Sequence, residues 1–498
     1  MKSILVMYDS LRRDLLSANG GPIPTPNFER LAKSSIQFDC CYAGSLPCMP
    51  ARRELQTGRY NFLHRSWGPM EPFDDSLPTI LSEHGIYTHI ATDHYHYVQD
   101  GGATYMGRFD SWECYRGQES DQYVADLSLP FGSDAPNQFS PESATPRMRA
   151  VRQRVGWNNM ANRELLKSED DYPMSMTFEN GIDFLKRNGD RDNWYLQIET
   201  FDPHEPFTAP EDFQLRFLDP DSLSFPDWPQ YASCNESAEE IEKLRKKYYA
   251  LTAFCDYQLG KVLDLMDEMD LWKDTLLIVN TDHGFLLSEH QRWGKGTSPN
   301  YEELVHNPLF VYDPRSGKRG ERRSNLCQTI DIVPTILEFF GIDRTADMTG
   351  VPLRAAIERN ENVRKVGIFG YLGGHLGITD GRYVLLHEPV NKDVAVNEYT
   401  LMPTHMKAFF SGEELSTAEL VGPFDFTKGL KVIRTRARIN PRFTDALGGK
   451  DLLFDLEADP KQERPFRDKE IEARLKSGAH ELFEQHDAPS ELYRYFDI

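Results

Sequence analysis

Ile4-Leu5-Val6-Met7-Tyr8-Asp9 is an unbroken apolar run that ends on a carboxylate. A strand with one wet face alternates apolar and polar residues, so an unbroken run marks a strand covered on both faces, as in a parallel sheet. The pattern recurs along the chain. Ile86 to Thr92 runs into Asp93-His94, Trp194 to Thr200 into Phe201-Asp202-Pro203-His204, and Thr275 to Asn280 into Asp282-His283-Gly284. A further short strand is read at Leu309–Tyr312. Helical stretches separate these runs. Thr25-Pro26 opens one with a threonine cap and proline at its first position, and Leu77 to His84 forms another, closed by Gly85. A long one begins at Ser237 with a capping box to Glu240, and Asp331 to Ile336 opens one closed by Gly341. Its neighbour's basic run, Lys243, Arg245, Lys246 and Lys247, reads as a solvated helix face. Strand–helix alternation predicts an α/β fold, a large mostly parallel sheet sandwiched by helices. In such a sheet the carboxyl ends of the strands share one edge, where ligands bind. Asp9, His94, His204, Asp282 and His283 all fall at that edge.

A chain of 498 residues exceeds one ordinary core. After about Arg359 short strands separated by turn residues replace the long alternation. The reading is a catalytic α/β domain over 1–358, with a possible insertion at 113–175, and a smaller C-terminal α+β domain over 359–498. Lys428, Lys431, Arg434, Arg436 and Arg438 form a basic stretch there, read as an exposed face. The net charge of −22 excludes a nucleic-acid or anionic-membrane partner. No apolar run reaches the ~20 residues needed to cross a bilayer. The N-terminus lacks a secretory pattern, and the seven cysteines show no C-x-x-C, so a reduced, cytoplasmic setting is expected.

One segment carries more chemistry than the rest: Leu46-Pro47-Cys48-Met49-Pro50-Ala51-Arg52, followed by Leu55, Thr57, Gly58 and Arg59. By itself it also fits an ordinary buried cysteine at a helix start. The C-x-P-x-R pattern resembles the signature of the type I, formylglycine-dependent sulfatases of the alkaline phosphatase superfamily. Further matches follow in the family's order: Asp9, Asp202-Pro203-His204, Asp282-His283, Lys295, Tyr301-Glu302-Glu303, and Leu453 to Pro460. The resemblance implies an alkaline-phosphatase-like fold and a Cys48 oxidised to formylglycine by a maturation enzyme. It implies one divalent metal ion on Asp9, Asp282, His283 and the modified residue 48. It implies a small anionic ester as substrate, an organic or carbohydrate sulfate. By the same resemblance Arg52 holds the formylglycine, Lys295 and His94 contact the sulfate, His204 protonates the leaving oxygen, and His96 helps regenerate the aldehyde. Homo-oligomers also occur among such hydrolases.

Two departures stand out. Most sulfatases carry a second Asp where this chain has Ser10, and many have Lys-x-His where it has His94-Tyr95-His96. The softer ligand set leaves Mn²⁺ beside the Ca²⁺ expected by family. Because the related phosphonate monoester and phosphodiester hydrolases also lack the second Asp, they are the alternative reading. A non-catalytic anion binder would require Cys48 to remain a thiol, and nothing in the sequence suggests such decay. A thiol hydrolase using Cys48 with a histidine would leave the metal ligands and Lys295 unexplained.

Overall fold

The computed structural model describes residues 1–129, 146–296, 298–439, 443 and 445–498, and for 146–153 the backbone alone. The large sheet is built from β1 (Lys2–Tyr8), β2 (Ile36–Tyr42), β3 (Tyr87–Thr92), β4 (Ser111–Cys114), β5 (Trp194–Glu199), β6 (Thr275–Thr281), β7 (His306–Tyr312), β8 (Glu321–Arg323) and β9 (Cys327–Gln328). Of these, β1, β3, β5, β6 and β7 are the predicted strands, and the other four escaped the sequence reading. They form one sheet in the order β8-β2-β7-β6-β1-β5-β3-β4, with β9 also pairing with β2. The central strands β6, β1, β5, β3 and β4 are parallel to one another. Only β7 runs against both neighbours, so the sheet is mixed but mostly parallel, as expected.

The unbroken apolar character of β1 now has its cause. Ile4, Val6 and Tyr8 join the core on one face, with Phe178 of helix α4 (Pro173–Asn188) and Leu251 and Leu259 of α5 (Ala238–Glu268). Leu5 and Met7 join the opposite core, with Leu81 of α3 (Leu77–Glu83) and Ile332 and Val333 of α6 (Ile332–Phe339). Helix α1 (Pro26–Ser34) lies on the first face and α2 (Cys48–Thr57) carries the cysteine motif. Truncating either set, for example Leu5→Ala, removes about 2–5 kcal/mol.

Local expectations were met unevenly. The capping box of α5 is present, Ser237 accepting from the Glu240 N–H. Thr25 does not cap α1; its hydroxyl pairs with Ser17 instead. The basic face of α5 is not uniformly solvated. Lys243 and Lys246 meet Glu239 and Glu242, but Lys247 is buried and donates to Gln214 and the Leu223 carbonyl at 2.6 Å each. Of the 113–175 stretch, residues 130–145 lie outside the described residues. Its first two residues belong to β4, so it starts as the sheet's outer edge.

The C-terminal region builds a four-stranded antiparallel sheet from β10 (Gly367–Gly370), β11 (Leu376–Thr379), β12 (Tyr383–His387) and β13 (Leu452–Asp455). Helix α7 (Lys469–Gln485) packs on it, and Tyr60, Phe62, Leu63 and Ile330 of the larger region share that core. In the basic stretch Lys428 pairs with Asp75 and Asp347, Arg434 with Glu419, and Arg438 with Glu414.

Candidate active site

Strand register brings the predicted residues together. Tyr8 lies opposite Thr281, and Met7 opposite Glu199, which itself faces Thr92. Asp9, Asp282 and Asp93 therefore leave the sheet side by side. The Asp282 N–H donates to the Tyr8 carbonyl at 3.3 Å and the Asp9 N–H to the Asp202 carbonyl at 3.4 Å. Cys48 is the first residue of α2, beneath these loops, and Arg52 follows one turn later with its guanidinium 3.1 Å from the Cys48 carbonyl. Gly58 ends the helix at φ +62°, a left-handed cap that a side chain would strain.

Asp9, Cys48, Asp282 and His283 are buried, with one ligating atom from each within 4.8 Å of all the others. Two carboxylates, an imidazole nitrogen and the position-48 side chain suit a divalent cation, and His283 is oriented for it. Its Nδ1 is tied to the Gly284 carbonyl at 2.9 Å, leaving Nε2 3.5 Å from the Cys48 sulfur. Electrostatics point the same way. Asp9, Asp282 and Glu199 place three buried carboxylates against two buried cations, Arg52 and Lys295. Burial opposes ionisation of Asp9, but Lys295 and Arg52 beside it hold its carboxyl well below the usual range. Asp282 is pushed up to about 7 by burial and then by Asp9. A cation between them would remove that repulsion.

Lys295 Nζ lies 3.3 Å from Cys48 Sγ, 2.9 Å from Ser10 Oγ and 3.4 Å from both Asp9 Oδ1 and His283 Nε2. Burial alone would lower its pKa, but Asp9 and Cys48 push it up, so it stays charged. Ser10 takes a left-handed backbone (φ +65°), donates its N–H to Asp282 and its hydroxyl to Asp9 at 2.7 Å. The Cys48 thiol is pushed well up, first by burial and then by Asp9. A thiolate nucleophile is disfavoured there.

The three other predicted histidines gather around one ring. Phe201 stacks on His204 at 4.1 Å and on His94 at 5.0 Å, and meets His96 edge-on at 6.1 Å. Both ring nitrogens of His94 are buried and unpartnered among the described residues, whereas His96 Nδ1 meets Gln99 at 2.9 Å. Burial first, then Arg52 for His94 and Lys407 for His96, keeps both imidazoles neutral. His204 is lowered to about 3 by burial and Lys295.

Several residues here escaped the sequence reading. Glu199, at the end of β5, accepts from Arg52 Nε at 2.8 Å and from the Tyr97 hydroxyl at 3.0 Å. Gln118 bridges the buried carboxyls of Asp93 and Asp202, at 2.7 and 3.1 Å. Glu205 and Tyr231 lie behind His204. Position offered a signal for Glu199, a charged residue inside an apolar strand; Gln118 and Tyr231 offered none.

An alkaline-phosphatase-like sheet whose strand ends carry two aspartates and a histidine beside a helix-borne cysteine fits a hydrolase of the alkaline phosphatase superfamily. The sulfatase family profile matches residues 2–342, and the chain belongs to that family of sulfuric ester hydrolases. It is 22% identical to an arylsulfatase of Clostridium perfringens over 74% of this chain and 80% of that one. It is 24% identical to a choline-sulfatase of Rhizobium meliloti, over 72% of each. A solved structure in complex with its substrate D-glucosamine-2-N,6-O-disulfate superposes with a TM-score of 0.64 at 16% identity, covering 98% of both chains. The phosphonate monoester hydrolase of Agrobacterium radiobacter superposes at 0.63 and 19% identity, over 98% and 95%. No described helix is long and apolar enough to cross a membrane.

Proposed function

We propose that the protein cleaves a small organic or carbohydrate sulfate ester through a formylglycine made from Cys48 by a maturation enzyme. One observation carries the reading: the Cys48 sulfur lies at the meeting point of Asp9, His283 and Lys295, the first two being members of the buried ligand group. Asp9, Asp282, His283 and residue 48 would hold the cation, Ca²⁺ by family and Mn²⁺ as the alternative. Formylglycine and cation together supply the nucleophile and charge balance that a thiol in this site lacks. The remaining work falls to side chains. Arg52 fixes the first turn of α2 against Asp9 and Asp282. Lys295 stays protonated and takes negative charge on the transferring group. His94 presents a free neutral nitrogen to a sulfate oxygen. His204 gives its Nε2 proton to the leaving oxygen, and His96 accepts a proton when the sulfate is released.

A carbohydrate sulfate draws support from the neighbour bound to a sulfated glucosamine. Ser10 favours a second reading, a phosphonate monoester or phosphodiester hydrolase with the same nucleophile. A cytoplasmic site draws support from seven unpaired cysteines, and a division at 358/359 from the separate sheet that begins at Gly367. Aryl sulfate and aryl phosphodiester of the same phenol decide the first question. Faster sulfate cleavage is expected, and faster diester cleavage overturns it.

A further inference from the structure

The Asp202-Pro203-His204-Glu205-Pro206 turn holds a carboxyl group that the reaction as drawn does not use. His204 Nδ1 is 2.6 Å from the carbonyl of Glu205 and 3.3 Å from that residue's carboxyl Oε2. Glu205 is 3% exposed, and His204 is its only ion-pair partner among the described residues. Its other oxygen accepts the Tyr231 hydroxyl. Tyr231 is seated by Gly294, beside Lys295: a Cβ at Gly294 would lie 2.6 Å from the tyrosine ring. His204 Nε2 makes no hydrogen bond with any described residue. The imidazole is thus tied at Nδ1 and free at Nε2.

We propose that Glu205 and Tyr231 are positioning residues for His204: they hold a carboxyl group against Nδ1 so that Nε2 carries the proton the leaving oxygen takes. The inference rests on the reading of His204 as the general acid. As the nucleophile bonds to the transferring atom, the bond from that atom to the leaving oxygen breaks and its electron pair stays on oxygen. The Nε2 proton moves to that oxygen, and the imidazolium becomes neutral imidazole. Nδ1–H stays on the Glu205 carbonyl throughout, and water returns the lost proton before the next turnover. A carboxylate 3.3 Å away stabilises the imidazolium that must precede this transfer. At rest the pair's proton sits on the carboxyl, since burial lowers His204 to about 3, and it reaches the imidazole before the transfer. Glu205 is pushed up to about 8 by burial, against Lys295 and with Glu119, while Lys295, Arg52, Asp9, His94 and His96 face His204. The pair therefore keeps that one proton through neutral pH.

The test is leaving-group dependence. kcat/KM is measured for wild type, Glu205→Gln, Tyr231→Phe and His204→Ala on 4-nitrophenyl and unsubstituted phenyl esters, across pH 6–10. Nitrophenolate leaves with little help, and phenolate needs the proton. Glu205→Gln should stay within about threefold of wild type on the nitrophenyl ester and lose roughly 30-fold or more on the phenyl ester. Its alkaline limb should move to lower pH, and Tyr231→Phe should fall between. Equal losses on both esters, or an unmoved limb, would overturn the inference. If His204→Ala is steep and Glu205→Gln is not, His204 stands as acid and the inference alone fails. If His204→Ala leaves the dependence unchanged, the acid is elsewhere and both fail. The comparison runs on sulfates or on phosphodiesters, because the leaving oxygen is the same, so loss of the sulfate assignment does not remove the test.

Discussion

Arg52 Nε donates to Glu199 Oε1 across 2.8 Å with both side chains out of contact with water. The contact locks the helix that carries Cys48 to the end of β5, and the same guanidinium reaches Asp9 and Asp282. Removing Glu199 leaves the Arg52 Nε–H and the Tyr97 hydroxyl buried without their acceptor, worth about 1–3 kcal/mol, while Asp9 and Asp282 still compensate the charge. Glu199→Ala should therefore lower unfolding stability by that order, with activity falling beyond what misfolding explains. Urea unfolding alongside kcat/KM checks it; an unchanged midpoint would show that the asp pair alone holds Arg52.

Lys295 makes four polar contacts in the site and keeps its charge. Lys295→Met should reduce kcat by about 10²–10³ while the folded state persists. Circular dichroism and steady-state rates on an aryl sulfate separate the two effects. A loss confined to KM would assign the lysine to ground-state binding only.

His94 stands with both nitrogens unpartnered. An anionic oxygen of the substrate would satisfy one of them, so His94→Ala should raise KM by roughly tenfold, the scale of one hydrogen bond to a charged group. Because the buried imidazole is neutral, the effect should persist unchanged between pH 7 and 9.

Chelation of the cation should abolish turnover and lower the thermal midpoint, since two buried carboxylates then repel across an empty centre. Titrating Ca²⁺ and Mn²⁺ back, with the midpoint and rate read together, ranks the two ions. Activity that survives exhaustive chelation would remove the metal from the account.

Stability should also fall on mild acidification through His486, which stacks on Tyr60 at 4.2 Å. Burial, then Arg364, holds its pKa well below 6.5. For a base depressed in the folded state, the unfolded chain binds the extra proton, so stability is lost as pH drops below about 6.5, by ~1.4 kcal/mol per unit until the folded group titrates. The stability difference between wild type and His486→Gln should narrow from pH 7 to pH 5; a constant difference would contradict it.

Much of this arrangement is legible in the chain because it follows from strand ends. Asp9, His204 and Asp282-His283 each follow an apolar run, and a parallel sheet brings such ends to one edge. Cys48 and Arg52 are legible from their spacing. What stayed hidden depends on neighbours that sequence does not name. Glu199 reads as one polar residue in a strand until Arg52 is placed opposite it. Phe201 reads as core until three histidines are seen around it. Lys247 belongs to a charged run by composition and is buried only because the 210–225 segment folds over it. Thr25 has a cap's chemistry but a nearer partner in Ser17.

The central claim is that residue 48 acts as formylglycine. The direct measurement is the mass of the peptide containing Cys48, from protein made together with a maturation enzyme proven on a control sulfatase. The account predicts a loss matching replacement of the thiol by an aldehyde, in step with aryl sulfate activity. An intact thiol in protein that is fully active on the same ester would contradict it.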